Sequence, residues 1–273
     1  MKNKIIIITG GSSGLGLAIA KKLVTQAPVL ILIGRDKKKL ELACNEVLSV
    51  NSQASVLGRA VDVTSQQSVT ELFEEIGNTY GRVDMLINSA GILKEGYFET
   101  LSMDTFRSVM EINFFGILNM IKTFLPLIRQ AKGRIINISS VAGLQGVFGY
   151  SAYCSAKYAL NGFTEALRYE MKPQEISVQL VCPSEFKSPM VDALNSDRTP
   201  ENRLHTLTIP ECDIETIVRE ILSGIDKKSF IIIPGFMTRL FSGLVKFFPN
   251  ISRMFNDRRI KTVYKGPEQD QIR

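Results

Sequence analysis

The chain has 273 residues, of which 45% are hydrophobic and 22% charged, with 20 glycines and 10 prolines. That composition excludes disorder, collagen and coiled coil, and the length suits one large α/β domain or two small ones. No apolar run approaches the roughly 20 residues of a membrane-spanning helix. The four isoleucines ahead of Thr9-Gly10 are too few for a signal-peptide core and read as a buried strand. Cys44, Cys154, Cys182 and Cys212 are far apart, with no C-x-x-C pair; they read as reduced thiols of a cytoplasmic protein, with no metal site. Most of the net charge of +6 sits in the tail: residues 239–273 carry eight basic and three acidic side chains, against 25 and 24 over residues 1–238. The single histidine, His205, lies in the polar stretch Glu201-Asn-Arg-Leu-His205 and reads as an exposed loop or helix residue.

Apolar runs alternate with helical stretches. Residues 5–9 form the first run, followed by a glycine-rich turn over 10–16 and a helix to about 26. Strand candidates follow at 29–33, 56–62, 83–88, 134–139, 177–182 and 230–233. Between them lie helical patterns at 36–50, 65–80, 102–130 and 150–171. Continuous β-branched runs alternating with helices mean parallel strands buried on both faces. The expected fold is α/β: a doubly wound, Rossmann-type sheet of about seven strands in the order 3-2-1-4-5-6-7, helices on both faces and ligands at the carboxyl edge. One domain covers 1–235, with a lid at about 183–212, and a basic amphipathic helical extension covers 236–273.

The turn Thr9-Gly10-Gly11-Ser12-Ser13-Gly14-Leu15-Gly16 joins the first strand to a helix. It lacks the Gly-Lys-Ser/Thr of a P-loop and the G-x-G-x-x-G spacing, but its glycines let backbone approach a pyrophosphate at a helix N-terminus. The second strand ends Ile33-Gly34-Arg35-Asp36. An acid there would take a ribose 2′-hydroxyl; Arg35 instead suits a 2′-phosphate, with Asp36 as helix N-cap. Tyr153 and Lys157 stand one helical turn apart on one face. A cation beside a phenol favours phenolate, which makes the tyrosine a better acid-base group. Ser140 ends the fifth strand at the functional edge.

In order and spacing these pieces resemble the short-chain dehydrogenase/reductase family over most of the chain. They are Thr9-Gly10, Gly14 and Gly16; Asp62-Val63; Asn88-Ser89-Ala90-Gly91; Asn113; Ser140; Tyr153 and Lys157; and Pro183. The resemblance implies a nicotinamide enzyme with Tyr153 as acid-base and Ser140 holding the substrate oxygen. It implies Lys157 on the nicotinamide ribose lowering the tyrosine pKa, and Asn113 holding a relay water. Gly10, Ser12, Ser13, Gly14, Leu15, Gly16, Arg35, Asp62, Val63, Asn88, Ala90, Gly91, Pro183 and Ser188 would contact NADP, together with Tyr153 and Lys157. Two positions depart from the family: Ser89 stands where asparagine is frequent, and Pro183-Ser184 replaces Pro-Gly. The threonine that meets the carboxamide falls on Ser188.

A finer resemblance is to the 3-ketodihydrosphingosine reductases and related lipid-acting members. It rests on Leu144-Gln-Gly-Val-Phe-Gly-Tyr-Ser-Ala-Tyr153, Glu165-Ala-Leu-Arg-Tyr-Glu-Met-Lys-Pro173 and Arg198-Thr-Pro-Glu-Asn-Arg203. It implies NADPH-dependent reduction of an apolar, lipid-like ketone, with Phe186, Met190, Val191 and Leu194 lining an acyl channel. A 3-oxoacyl thioester or steroid-like ketone is the enzymatic alternative, and a non-catalytic NADP-binding sensor or scaffold the alternative of another class. The expected assembly is a homo-oligomer without nucleic acid. In the tail, Met237, Leu240, Phe241, Leu244, Val245 and Phe248 form one helical stripe beside basic residues. That stripe suits docking on the body or another subunit, or peripheral contact with an anionic membrane.

Overall fold

The structure is a computed structural model that describes residues 3–26, 28–208 and 211–266. Its centre is a parallel sheet of seven strands: β1 (Ile5–Thr9), β2 (Val29–Gly34), β3 (Ser55–Ala60), β4 (Met85–Asn88), β5 (Arg134–Ile138), β6 (Ser177–Val181) and β7 (Ile231–Ile232). The order across the sheet is β3-β2-β1-β4-β5-β6-β7, as the alternation of elements predicts.

Successive residues of each strand feed opposite faces. Ile5 and Ile7 of β1, with Ile31, Leu86, Ile135 and Val178, meet α3 (Gln66–Tyr80), α5 (Gly116–Gln130) and α6 (Ser151–Met171). Ile6 and Ile8, with Leu30, Ile87, Ile136 and Val181, meet α1 (Gly14–Leu23), α2 (Lys37–Val50) and α9 (Ile214–Asp226). The period of two, buried on both sides, explains why the strands read as unbroken apolar runs.

The structure departs from the expected elements in four places. β3 ends at Ala60, because Asp62 turns the chain: its Oδ1 accepts from the Thr64 N–H and hydroxyl at 2.9 and 2.8 Å. The helical stretch 102–130 is divided into α4 (Met103–Met110) and α5 by a π-helical turn, Glu111–Phe115. The lid contains two short helices, α7 (Pro189–Asn195) and α8 (Pro200–Thr206). Finally, α9 fills the interval before β7; its Ile217, Val218, Ile221, Leu222 and Ile225 are buried at helical spacing.

The tail forms α10 (Phe236–Phe247) and α11 (Pro249–Val263), while Arg273 and the rest of 267–273 lie outside the described residues. α10 is tied down by Thr238, whose hydroxyl donates to Ser184 Oγ at 3.1 Å, and by the Arg239–Glu220 ion pair. α11 packs on α8. The stripe is thus not core: Leu240, Leu244 and Phe248 are exposed, and Phe247 is 75% exposed.

The glycine turn carries the tightest approach in the fold. A Cβ on Gly16 would lie 2.4 Å from the Gly10 carbonyl oxygen. Gly16→Ala should therefore cost at least about 1–3 kcal/mol through overpacking against backbone. A lowered urea midpoint with an unchanged slope is the expected result; an unchanged midpoint contradicts this packing.

Candidate active site

The glycine turn opens at the carboxyl edge of the sheet. Thr9 Oγ1, buried at the end of β1, accepts from the backbone N–H groups of Ser89 and Ala90 at 3.0 and 3.1 Å, tying the turn to the loop after β4. Gly10 has φ +66°, and a Cβ there would meet the Ser89 carbonyl oxygen at 2.8 Å. Gly14 has φ +52° and faces open space, with nothing within 4 Å of a Cβ. Ser13 is the N-cap of α1, yet its hydroxyl bonds no helix N–H. The first-turn donors of α1 are left for an anion in the cleft.

At the end of β5, Ser139 Oγ donates to Asn161 Oδ1 at 2.6 Å, and Asn161 Nδ2 donates to the Gly143 carbonyl at 2.7 Å. These bonds draw α6 so close that a Cβ on Gly143 would stand 2.8 Å from Asn161 Nδ2 and 2.9 Å from the Lys157 carbonyl oxygen. Ser140 caps the turn Val141–Gly143, accepting from the Ala142 N–H at 3.1 Å, and lines the same cleft as Tyr153. One helical turn on, Lys157 is only 4% exposed; its Nζ donates to the Ile138 carbonyl at 2.8 Å and lies 5.6 Å from the centre of the Tyr153 ring.

Burial dominates the electrostatics of this pair. It pushes the Tyr153 phenol above the ordinary tyrosine value, with the Ser140 hydroxyl pulling the other way. It pushes Lys157 down to about 8 and Cys182 up to about 12. The expected lowering of the tyrosine by Lys157 is therefore not what this arrangement yields. The ammonium lies beside the ring and is spent on Ile138, so desolvation decides the direction.

A cleft of about 220 Å³ gathers Gly10, Ser13, Gly14, Leu15, Gly91, Ser140, Tyr153, Lys157, Pro183 and Ser188. The other expected residues stand around it. Asn113, fully buried by the π-helical turn, clasps one residue: its Oδ1 accepts from the Ile92 N–H at 2.7 Å and its Nδ2 donates to the Ile92 carbonyl at 2.8 Å. Asn88 turns its side chain into the sheet, donating to Asn137 Oδ1 at 2.9 Å, and is fully buried outside the cleft lining. Val63 packs against Gly116, where a Cβ would meet its Cγ2 at 2.7 Å. Asp36 is the N-cap of α2, accepting from the Lys39 N–H at 3.1 Å, while Arg35 is exposed beyond β2. A Cβ on Gly34 would lie 3.0 Å from Ser12 Oγ, which puts Ser12 beside the position where an acid is missing. Ser188 caps α7 through the Val191 N–H at 3.4 Å.

His205 corrects the sequence reading. It lies in α8, is 9% exposed and lines the cleft, with Nδ1 accepting from the Phe148 N–H at 3.1 Å. Its neighbour Asn202 donates to the Phe148 carbonyl at 2.5 Å, so α8 grips both sides of that residue. Arg198, buried at the start of the same stretch, forms a two-pronged pair with Glu185 at 2.8 Å on each prong. Thr199 donates to Glu95 at 2.7 Å. Glu201 accepts from the Tyr97 hydroxyl at 3.0 Å and from the Lys265 N–H at 2.8 Å, and Tyr264 stacks edge-on against Tyr97 and Phe148. Tyr150, Glu185, Leu93 and Val147 also line the cleft and were not singled out in the sequence. The polar Arg198–Arg203 stretch was the available sign that this lid is held by specific bonds.

Lys157 gives a pH test. Its folded pKa of about 8 lies below the 10.5 of an ordinary lysine, so the unfolded chain binds more protons between those pH values. At pH 7 the buried charge costs the folded state about 3 kcal/mol, and the cost fades as pH rises from 8 to 10.5. Lys157→Met should raise the melting midpoint of the ligand-free protein at pH 7, by an amount that shrinks towards pH 10.5. A variant less stable than the parent at pH 7 contradicts this.

The profile of the short chain dehydrogenases matches residues 4–199, which include the glycine turn, Asn113, Ser140, Tyr153 and Lys157. A 3-ketodihydrosphingosine reductase of Bos taurus is 34% identical over 229 residues, spanning 82% of this chain and 69% of that protein. One from Bacteroides thetaiotaomicron is 38% identical over 204 residues, 74% of this chain and 71% of that protein. Among solved structures, an actinorhodin polyketide ketoreductase crystallised with NADPH superimposes with a TM-score of 0.77 at 25% identity, covering 85% of this chain and 97% of that one. With fold, catalytic spacing and sequence in agreement, the chain belongs to the short chain dehydrogenase family.

Proposed function

We propose that this oxidoreductase uses NADPH to reduce a ketone on a long apolar chain to a secondary alcohol, with a substrate of the 3-ketodihydrosphingosine type. The observation that carries the reading is the gathering of Ser140, Tyr153 and buried Lys157 in one cleft that Leu93, Val147, Phe186, Met190 and Val191 also line. The names of the two ketoreductase relatives support the substrate class.

The residues present fit the cofactor. Gly14 leaves room for a pyrophosphate, and the N-terminus of α1 has an uncommitted cap hydroxyl. Once bound, a dihydronicotinamide supplies the hydride for the carbonyl carbon. Ser140 holds the carbonyl oxygen, and Tyr153 gives it a proton as negative charge develops. Burial alone raises the phenol pKa and so makes Tyr153 a weaker proton donor; the Ser140 hydroxyl pulls the other way, which favours the transfer. Lys157 is a fixed donor one turn away. Asn113 keeps a second amide hydrogen and a second lone pair beyond its Ile92 bonds, enough for the relay water that the resemblance implies.

Selection of NADPH rests on Gly34, which removes the carboxylate that would repel a 2′-phosphate, and on exposed Arg35 next to it. Asp36 is committed to capping α2. Titration should find NADPH bound more tightly than NADH, and Arg35→Ala should narrow the gap by roughly 1.5–3 kcal/mol. Equal affinities in the parent would overturn the assignment. In the same assay, NADPH oxidation should be faster with long-chain than with short ketones; no oxidation with any ketone would reject the reductase reading.

The tail supplies the lipid side of this reading. With Thr238 and α11 anchored to the lid, Phe236, Leu240, Leu244, Phe247, Phe248 and Phe255 stay exposed among Lys246, Arg253, Arg258, Arg259 and Lys261. Such a surface suits an anionic bilayer, each basic group contributing on the order of 1 kcal/mol that salt removes. Co-sedimentation with phosphatidylglycerol vesicles should be strong at low salt and partly retained at high salt through the apolar part. A folded protein that stays in the supernatant at low salt would exclude the membrane and leave this face to a second subunit, readable as a dimer by light scattering.

A further inference from the structure

Two buried polar atoms in the cleft have no partner among the described residues: the Tyr150 hydroxyl and His205 Nε2. Their side chains are 5% and 9% exposed. A buried polar group without a partner is costly, and a native fold keeps one where a ligand completes it. Neither atom belongs to the set Ser140, Tyr153 and Lys157, yet both residues line the cleft that holds it. The Tyr150 ring lies edge-on to the Tyr153 ring, with centroids 5.8 Å apart. His205 is fixed on the same loop by its bond from the Phe148 N–H.

That bond also settles the proton on the histidine. Nδ1 must keep its lone pair to accept from Phe148, so the neutral ring carries its hydrogen on Nε2. Burial favours the neutral form further, lowering the His205 pKa below its ordinary value, with Arg259 adding to the effect. The cleft therefore holds a pure donor in Nε2–H and a group in Tyr150 that both donates and accepts. A hydroxyl matches that pair, accepting from one and donating to the other. An ammonium does not, since Nε2–H offers it no lone pair. A plain alkyl chain leaves both atoms unpaired.

We propose that Tyr150 and His205 form a hydroxyl-binding subsite that selects ketones carrying an alcohol within a few carbons of the carbonyl over ketones without one. This deepens the reductase reading and rests on it. The two residues are specificity-determining, and Arg198 and Asn202 are positioning residues that hold α8 and the 148–150 loop in register.

The test compares a long-chain β-hydroxy ketone with the same ketone lacking the hydroxyl, for the parent, Tyr150→Phe and His205→Asn. Asparagine keeps an acceptor for the Phe148 N–H and removes the Nε2 donor, and melting midpoints with NADPH bound report whether each variant is folded. The parent should favour the hydroxylated ketone in kcat/KM by about 100-fold or more, and each variant should lose about 10- to 100-fold of that preference. A parent without preference, or variants that slow both ketones equally, would overturn the subsite. If the parent reduces neither ketone, the reductase reading fails by itself. Calorimetric titration of the two corresponding alcohols into the NADP-bound enzyme then decides: tighter binding of the hydroxyl-bearing one, lost in the variants, sustains the subsite, and equal or absent binding overturns it.

Discussion

The site depends on one costly placement, the Lys157 ammonium buried against the Ile138 carbonyl. For Nζ to reach that oxygen, α6 must lie hard against the end of β5. The approach requires glycine at 143 and is held by the Ser139–Asn161–Gly143 chain of hydrogen bonds. Once α6 sits there, helical geometry carries Tyr153 to Ser140 without further adjustment. A buried cation with one backbone partner is poor for stability, as its lowered pKa records, and is retained because the site needs a fixed donor beside the phenol.

Around that placement, polar links run across the carboxyl edge where β1 and β4 are adjacent and the strand order reverses, the position at which doubly wound sheets bind ligands. Thr9 holds the loop after β4, Asn113 holds Ile92 in it, and Asn88, Asn137 and Thr164 form a buried chain between β4, β5 and α6. The lid is fastened by charge-assisted and aromatic contacts. Arg198–Glu185 braces the lid internally, joining its start to the turn before α8, while Glu95 and Glu201 tie it to the loop before α4 and to the segment after α11. Lid and tail are therefore mechanically continuous, which links the surface that would meet lipid to the wall that would meet its chain.

The sheet was legible in the sequence because each strand is a β-branched run between turn residues, and the grouping of Ser140, Tyr153 and Lys157 at one cleft because they keep a strict spacing. The π-helical turn at Glu111–Phe115 was not, since one inserted residue barely disturbs an apolar stripe, though it is what turns Asn113 inward. The lid was misread for a different reason. Glu201 and Asn202 are fully buried, and His205 nearly so, because they serve backbone and hydroxyl groups of other loops. Polarity along the chain signals solvent only when no distant segment needs the bonds. α9, by contrast, did carry its signal in Ile214, Ile217, Val218, Ile221, Leu222 and Ile225, spaced for a single face.

The central claim is that Tyr153, set beside Ser140 and Lys157, delivers the proton that completes ketone reduction. The most direct measurement is turnover of Tyr153→Phe on a long-chain ketone at saturating NADPH, alongside cofactor affinity. The ring is kept and only the proton is lost, so turnover should fall by about 10²–10⁴-fold while NADPH binding persists. Turnover near that of the parent would contradict the account.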